Sequence, residues 1–430
     1  MHIRSLKRHF LYMKVKLILS AISLFVASYI SAQAQDPTQN PFNEFAKKQS
    51  VLIQESYNKR DAQEGLKLMT FLMDKYNQLN GDNKSIFRGY VTNNWYNLSC
   101  LYALINRKKE GYAALDSAIK YGYANYNNLK ADSDFENFKN DEEFKRLVTK
   151  VRSVGDYKYI LQRAEKYNAN DKRKLPDFTY KNTNDAHLDI LRKTFKLDSV
   201  AGTGDDASKA INILKWVHNT FKHDGQHESG INKINAANII SSATEKHIGV
   251  SCGELATTLN ECYLAMGWKS RKVYCLPKDS LKIDYDSHVI NAVFLPDLKK
   301  WVWMDPTNNA YIKDENNTLL SIAEVRERII KSKPLFINDD ANWNNKVKVT
   351  KQDYLDRYMA KNLYRMYSPL SSEYDYETRD NNKTITYISL LPLDYYSQSP
   401  DKSEDKNATT NVMVVRYKTN NDSVFWSVGH

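Results

Sequence analysis

The spacing of the apolar residues changes period after Gly267, and that change sets the fold class. Before it the apolar segments are helical. Apolar residues recur three and four apart in Val51, Leu52, Leu66, Met69, Leu72 and Met73, and again in Ile211, Leu214, Trp216, Val217 and Phe221. The same spacing runs through CGELATTLNECYLAM, from Cys252 to Met266, and Gly267 follows where helix ends favour glycine. Beyond it, RKVYCL, SHVINAVFLP and WVWMDP alternate or run apolar with β-branched and aromatic residues. They are separated by PKDSLKIDYD and the turn PDLKK, which predicts three successive strands. A helical first half followed by helix, strand, strand, strand predicts an α+β chain. With 14 Gly and 10 Pro in 430 residues, long stretches are free of breakers. That length predicts about three domains at ~150 residues each, and 42% hydrophobic with 26% charged residues excludes collagen-like and broadly disordered chains.

Residues 1–34 read as an export signal, with basic residues through Lys16, the apolar run LILSAISLFVA, and small residues ending Ala32-Gln33-Ala34. Cleavage is expected near Gln35, and Met13 by itself opens a complete signal. An uncleaved anchor is the alternative, but about 15 apolar residues fall short of the ~20 a membrane span needs. No Cys ends the apolar run, which disfavours a lipid anchor. No second stretch approaches spanning length, so the mature chain is expected to have no membrane span and to be exported, periplasmic or extracellular. The formal charge of +11 shrinks once the five basic residues of this segment are set aside, leaving 57 basic against 51 acidic residues. No Lys/Arg run with interleaved aromatics follows, so no nucleic-acid partner is expected.

A helical domain is expected over residues 42–165. Within it Trp95, Leu98, Ser99, Tyr102, Gly111, Leu115 and Ala118 fall at spacings that resemble one tetratricopeptide unit. The stretch GYANYNNLKADSDFENFKNDEEFKRL resembles the tail found after such units in exported bacterial proteins. A single unit needs neighbours, so helices near 42–80 and 140–165 are expected to complete a small bundle able to hold a protein partner. Polar residues 168–184, with Pro176, read as a linker. A second globular domain is expected over 185–335, with helices near 206–222, 235–245 and 321–332. Residues 336–430 form a C-terminal extension, helix then strands, with a helix near 351–366. There TITYISLLPL and NVMVVRYK suggest a hairpin or small sheet of no assigned chemistry.

Four cysteines, Cys100, Cys252, Cys262 and Cys275, are few for an exported chain that relies on disulfides. A Cys262 to Cys275 bridge is one option, and two thiols in the core are favoured. Cys252 differs in opening a helix after Gly249-Val250-Ser251, where unpaired amides and the helix dipole favour thiolate. His288 starts the second strand and Asp305 ends the third, so antiparallel neighbours would bring imidazole and carboxylate to one sheet edge. Singly each has a bland reading, as a packed Cys, a satisfied His and an Asp-Pro turn. Together they supply nucleophile, base and orienter for acyl transfer.

The block GVSCGELATTLNECYLAMGWKSRKVYC, then DSHVINAVFLPDLKKWVWMDPTNNAY, resembles the transglutaminase-like superfamily over about residues 200–325. The resemblance implies a papain-like, cysteine-protease-like fold with a catalytic triad. Cys252 is then the nucleophile, His288 the general base and acid, and Asp305 the residue that orients the imidazole. The function implied is thiol-dependent acyl transfer on peptide or protein amides, more readily hydrolytic than cross-linking. A binding or assembly module that keeps the fold without turnover is the alternative from another class, and a true cross-linking transglutaminase a further one. The backbone N–H of Cys252 is a natural oxyanion donor. Gln226, His227, Asn235 and Asn238 remain equal candidates for the second. His218, His223 and His227 in HNTFKHDGQH suggest zinc, but Gly225 interrupts the helix and no Glu adjoins them, so capping or solvent-facing histidines are preferred. His223 or His227 could instead line the cleft beside Cys252. No cofactor or metal is expected, and without a dense acidic loop calcium independence is expected too.

Overall fold

Side-chain caps at Asn40, Asp61 and Asn80 start the first three N-terminal helices. The computed structural model describes residues 40–279 and 286–429, and the expected signal, residues 1–34, lies outside the described residues. Two compact units divide between Ile160 and Leu161.

In the first unit, α1 (Pro41–Lys59) starts with Pro41 behind Asn40, whose side chain accepts from the Phe42 N–H at 2.9 Å. Then come α2 (Ala62–Asn77), α3 (Gly81–Leu104) and α4 (Lys108–Lys120). Asn106, at φ 59°, turns the chain between α3 and α4. Leu98, Ser99, Tyr102, Leu115 and Ala118 of this helical hairpin are buried. At Gly111 an added Cβ would stand 2.7 Å from Phe138 Cε2, so the position admits no side chain. Phe135, Phe138, Phe144 and Leu147, from the tail after the hairpin, share a core with Leu115 and Ala118.

In the second unit α5 (Asp206–Thr220), α6 (Ala236–Lys246) and α7 (Cys252–Ala265) form a helical layer. Helix α7 is buried nearly all round, its polar Glu254, Thr258, Asn260 and Glu261 included, because both sides are covered. Leu255, Leu259, Cys262 and Tyr263 meet Leu214, Val217 and Ile239 among the helices, and Val293, Val302 and Met304 on the sheet. Strands β1 (Ser270–Leu276), β2 (His288–Leu295) and β3 (Lys300–Met304) pair antiparallel in succession. The hairpin β4 (Asn342–Trp343) and β5 (Val347–Lys348) precedes four further strands, β6 (Arg365–Pro369), β7 (Thr384–Leu390), β8 (Lys402–Lys406) and β9 (Met413–Thr419). They extend the same sheet, in the order β8-β9-β7-β6-β1-β2-β3.

The hairpin or small sheet expected from TITYISLLPL and NVMVVRYK is therefore corrected: β7 and β9 are parallel neighbours inside the seven-stranded sheet. The partner that joins them to it, β6 against β1, lies far away in sequence, with Tyr274 opposite Tyr367. The helix expected near 351–366 is present but shorter, π-helical over Gln352–Met359 and α-helical over Ala360–Asn362, and stops before β6. Such wide turns are frequent at functional sites. Among the described residues no helix is long and apolar enough to cross a membrane.

Candidate functional site

Cys252 is the first residue of α7, and a capping box fixes it there. The Ser251 N–H donates to Glu254 Oε2 at 2.7 Å and the Glu254 N–H to Ser251 Oγ at 3.3 Å. These bonds satisfy the helix start while leaving the thiol at its positive end. All four cysteines are free, and Cys252 alone keeps part of its surface accessible.

Strand β2 sends Asn291 toward α7, its Nδ2 donating to Ala256 O at 2.9 Å, so by alternation His288 faces the other side. The antiparallel register that sets Asn291 opposite Met304 brings the start of β2 level with the end of β3. His288 Nε2 and Asp305 Oδ2 accordingly meet at 2.7 Å. Both residues are buried, Asp305 completely. Asp305 also accepts from the Thr307 N–H at 2.9 Å, the Asn308 N–H at 3.3 Å, Asn308 Nδ2 at 2.9 Å, and the Tyr354 hydroxyl. Tyr358 lies edge-on to the His288 ring at 5.2 Å. The three residues picked out in the sequence thus come together, with Cys252 within interaction range of His288.

Electrostatics at this point runs against burial. Burial would raise the Asp305 carboxyl, but His288, Tyr354 and Asn308 hold it below the usual carboxylate range. Burial would lower the His288 imidazole, yet Asp305 and then Cys252 push it up to about 10. Burial would raise the Cys252 thiol, and hydrogen bonds from His223 and His288, with the charge of the His288 imidazolium, bring it down to about 6. Between those two values the favoured form is thiolate beside imidazolium.

The three clustered histidines do not converge. His218 is buried, with Nδ1 on Pro306 O at 2.9 Å and Nε2 on Asn342 Oδ1 at 3.0 Å. His227 is exposed against Asp224 Oδ2 at 2.7 Å. His223 alone reaches the Cys252 thiol. Of the other residues considered for an oxyanion, Gln226 is exposed. Asn235 and Asn238 are committed to capping α6, Asn235 Oδ1 accepting from the Asn238 N–H at 2.9 Å and Asn238 Nδ2 donating to Lys233 O at 3.0 Å.

Sequence reasoning missed the residues that brace the site from beyond position 340. Trp343 and Asn344 of the β4–β5 hairpin contact His223, Tyr354 holds Asp305, and Tyr358 covers His288. No short motif marks them.

Residues 193–306 match the family model described as the Transglutaminase-like superfamily, so the chain contains a domain of that superfamily. Cys252, His288 and Asp305 all lie within the matched stretch. A 53-residue stretch is 32% identical to a chloroplastic protein of Arabidopsis thaliana, covering 12% of this chain and 16% of that protein. The chain therefore spans about a sixth of the relative's length. No solved structure matches.

Proposed function

We propose that this protein is a thiol-dependent acyl-transfer enzyme acting on peptide or protein amides, and that water is its usual second substrate. One observation carries the reading. The Cys252 thiol is drawn down to about 6 by imidazoles, and one of them, His288, has its far nitrogen on a buried carboxylate. Cys252 Sγ attacks the amide carbonyl, and His288 gives its proton to the departing amine. Asp305 holds the ring so that one nitrogen faces the thiol and stabilises its charged form. Water then attacks the thioester, with His288 taking a proton from it and returning one to sulfur.

The signal-like residues 1–34 support action after export. The helical unit, with Val51, Leu66 and Phe71 exposed, suits recruitment of a protein or peptide. Those same exposed residues favour the second reading, a binding or assembly module without turnover. The test is to incubate the full chain with a mixture of peptide amides and look for an acyl adduct on Cys252 by mass. An adduct resolved by water gives hydrolysis, and one resolved only by added amine gives cross-linking. Peptide capture that survives Cys252→Ala, with no adduct in the unaltered chain, would establish the binding module instead.

A further inference from the structure

We propose that His223 is a neutral hydrogen-bond donor to the oxyanion formed on attack by Cys252, and that Trp343 holds it in the tautomer this requires. The proposal rests on the acyl-transfer reading above. Two imidazoles flank one thiol and differ in what sits on the far nitrogen. On His288 it is the Asp305 carboxylate, which favours an imidazolium. On His223 it is the Trp343 indole, whose Nε1–H donates to Nδ1 at 3.1 Å. An indole can only donate, so Nδ1 must present a lone pair and the proton of the neutral ring sits on Nε2. That is the nitrogen left for the side of the thiol. Taking a proton from Cys252 would leave His223 with N–H groups on both nitrogens and break the Trp343 bond. Donating one hydrogen bond costs nothing of the kind.

The donor is also held in place before any substrate arrives. The His223 N–H donates to Asn344 Oδ1 at 2.7 Å, and Asn344 Nδ2 returns a bond to His223 O at 2.9 Å. His223 bridges in parallel to Val250, two residues before the nucleophile. The Asp224 N–H reaches Val250 O at 2.8 Å and the Val250 N–H reaches Lys222 O at 2.9 Å. At Gly225 a Cβ would stand 3.2 Å from His223 Cε1 and 3.3 Å from Nε2, so a side chain there would press on the donating edge. A fixed donor that need not reorganise is what stabilises developing charge most.

In the step, the bond from Sγ to the carbonyl carbon forms and the C=O π pair moves to oxygen. That oxygen accepts from His223 Nε2–H and from the Cys252 backbone N–H. The C–N bond then breaks as the pair returns, with the amine taking its proton from His288. His223 keeps its Nε2 proton and its neutral ring throughout. Trp343 touches no reacting atom and is a positioning residue.

Two reagents separate this role from activation of the thiol. Acylation of Cys252 by p-nitrophenyl acetate passes through an oxyanion, whereas alkylation by iodoacetamide does not. Both rates are measured on the full chain across pH and extrapolated to full thiolate. His223→Ala should slow acylation about 100-fold, as loss of one oxyanion donor does, and leave alkylation within about 3-fold. Trp343→Phe, at a half-exposed position that tolerates the change, should slow acylation about 5- to 10-fold, the value of one hydrogen bond, with alkylation unchanged. If both reactions fall together in the variants, or neither falls, the donor role is overturned. If Cys252 of the unaltered chain reacts with neither reagent faster than Cys262 and Cys275, the acyl-transfer reading falls, and this one with it.

Discussion

Two cysteines in two regions of the molecule sit among almost the same residue types, and their thiols are driven in opposite directions. In the helical unit Cys100 lies 3.8 Å from Asp132 Oδ2, with Asp134 nearby. Hydroxyls of Tyr96 and Tyr57 donate to these carboxylates at 2.7 and 2.6 Å. In the second unit Cys252 also has a buried carboxylate and a tyrosine behind it, but imidazoles stand between. Burial pushes both thiols up. At Cys100 the two aspartates push the same way, well above the ordinary thiol value, whereas at Cys252 the histidines reverse the sign. The direction thus depends on what separates thiol from carboxylate: a carboxylate acting directly on sulfur adds to the upward push of burial, and one acting through an imidazole opposes it.

Exchanging the roles of the two cysteines gives the largest test of that contrast. Cys252→Ala should lower acyl transfer by at least about 10⁴-fold, read as loss of the acyl adduct. Cys100→Ala should leave the rate within about 2-fold and cost about 1–2 kcal/mol of folding stability, read from denaturant midpoints. Next in size is Asp305→Asn. The amide can donate to His288 Nε2 and impose the wrong tautomer, so the turnover rate should drop about 10³- to 10⁴-fold with the fold retained.

The smallest expected effect sharpens the role of the π-helical turn. Tyr354→Phe keeps the ring against Trp303, at 6.2 Å, and removes one of the donors to Asp305. Turnover should fall about 3- to 10-fold, in line with one hydrogen bond. Asp305 is depressed in the folded chain relative to the unfolded one. Its contribution to stability is therefore present above the unfolded value of ~3.9 and is lost as pH falls through the lower folded value. Removing a group that lowers it should move acid unfolding to higher pH, which Trp fluorescence reports.

Much of this site was legible from residues alone because its three principal members stand at element ends. Cys252 follows a capping signal, His288 opens an apolar run and Asp305 closes one, and antiparallel neighbours have little choice but to bring the last two together. The rest depends on contacts that spacing does not encode. The polar segment points to Gln226, His227, Asn235 and Asn238 for an oxyanion and to His223 only as a residue that could line the cleft, and only the hairpin carrying Trp343 and Asn344 sets His223 apart. The placement of β7 and β9 in the main sheet depends on β6 meeting β1, whose paired residues Tyr274 and Tyr367 are far apart in sequence, with His288 and Asp305 between them. The helical hairpin around Leu98 and Leu115 was readable because its periodicity is local, down to Gly111 with no room for a side chain.

The most direct measurement is the pH dependence of alkylation at each cysteine of the folded chain, read by peptide mass. A Cys252 that labels first and titrates near about 6, while the buried Cys100, Cys262 and Cys275 stay unreactive, is expected, and His288→Ala should move that titration up toward the ordinary ~8.5. A Cys252 that labels no faster than the three buried thiols, or whose titration ignores His288, would contradict the thiolate–imidazolium site.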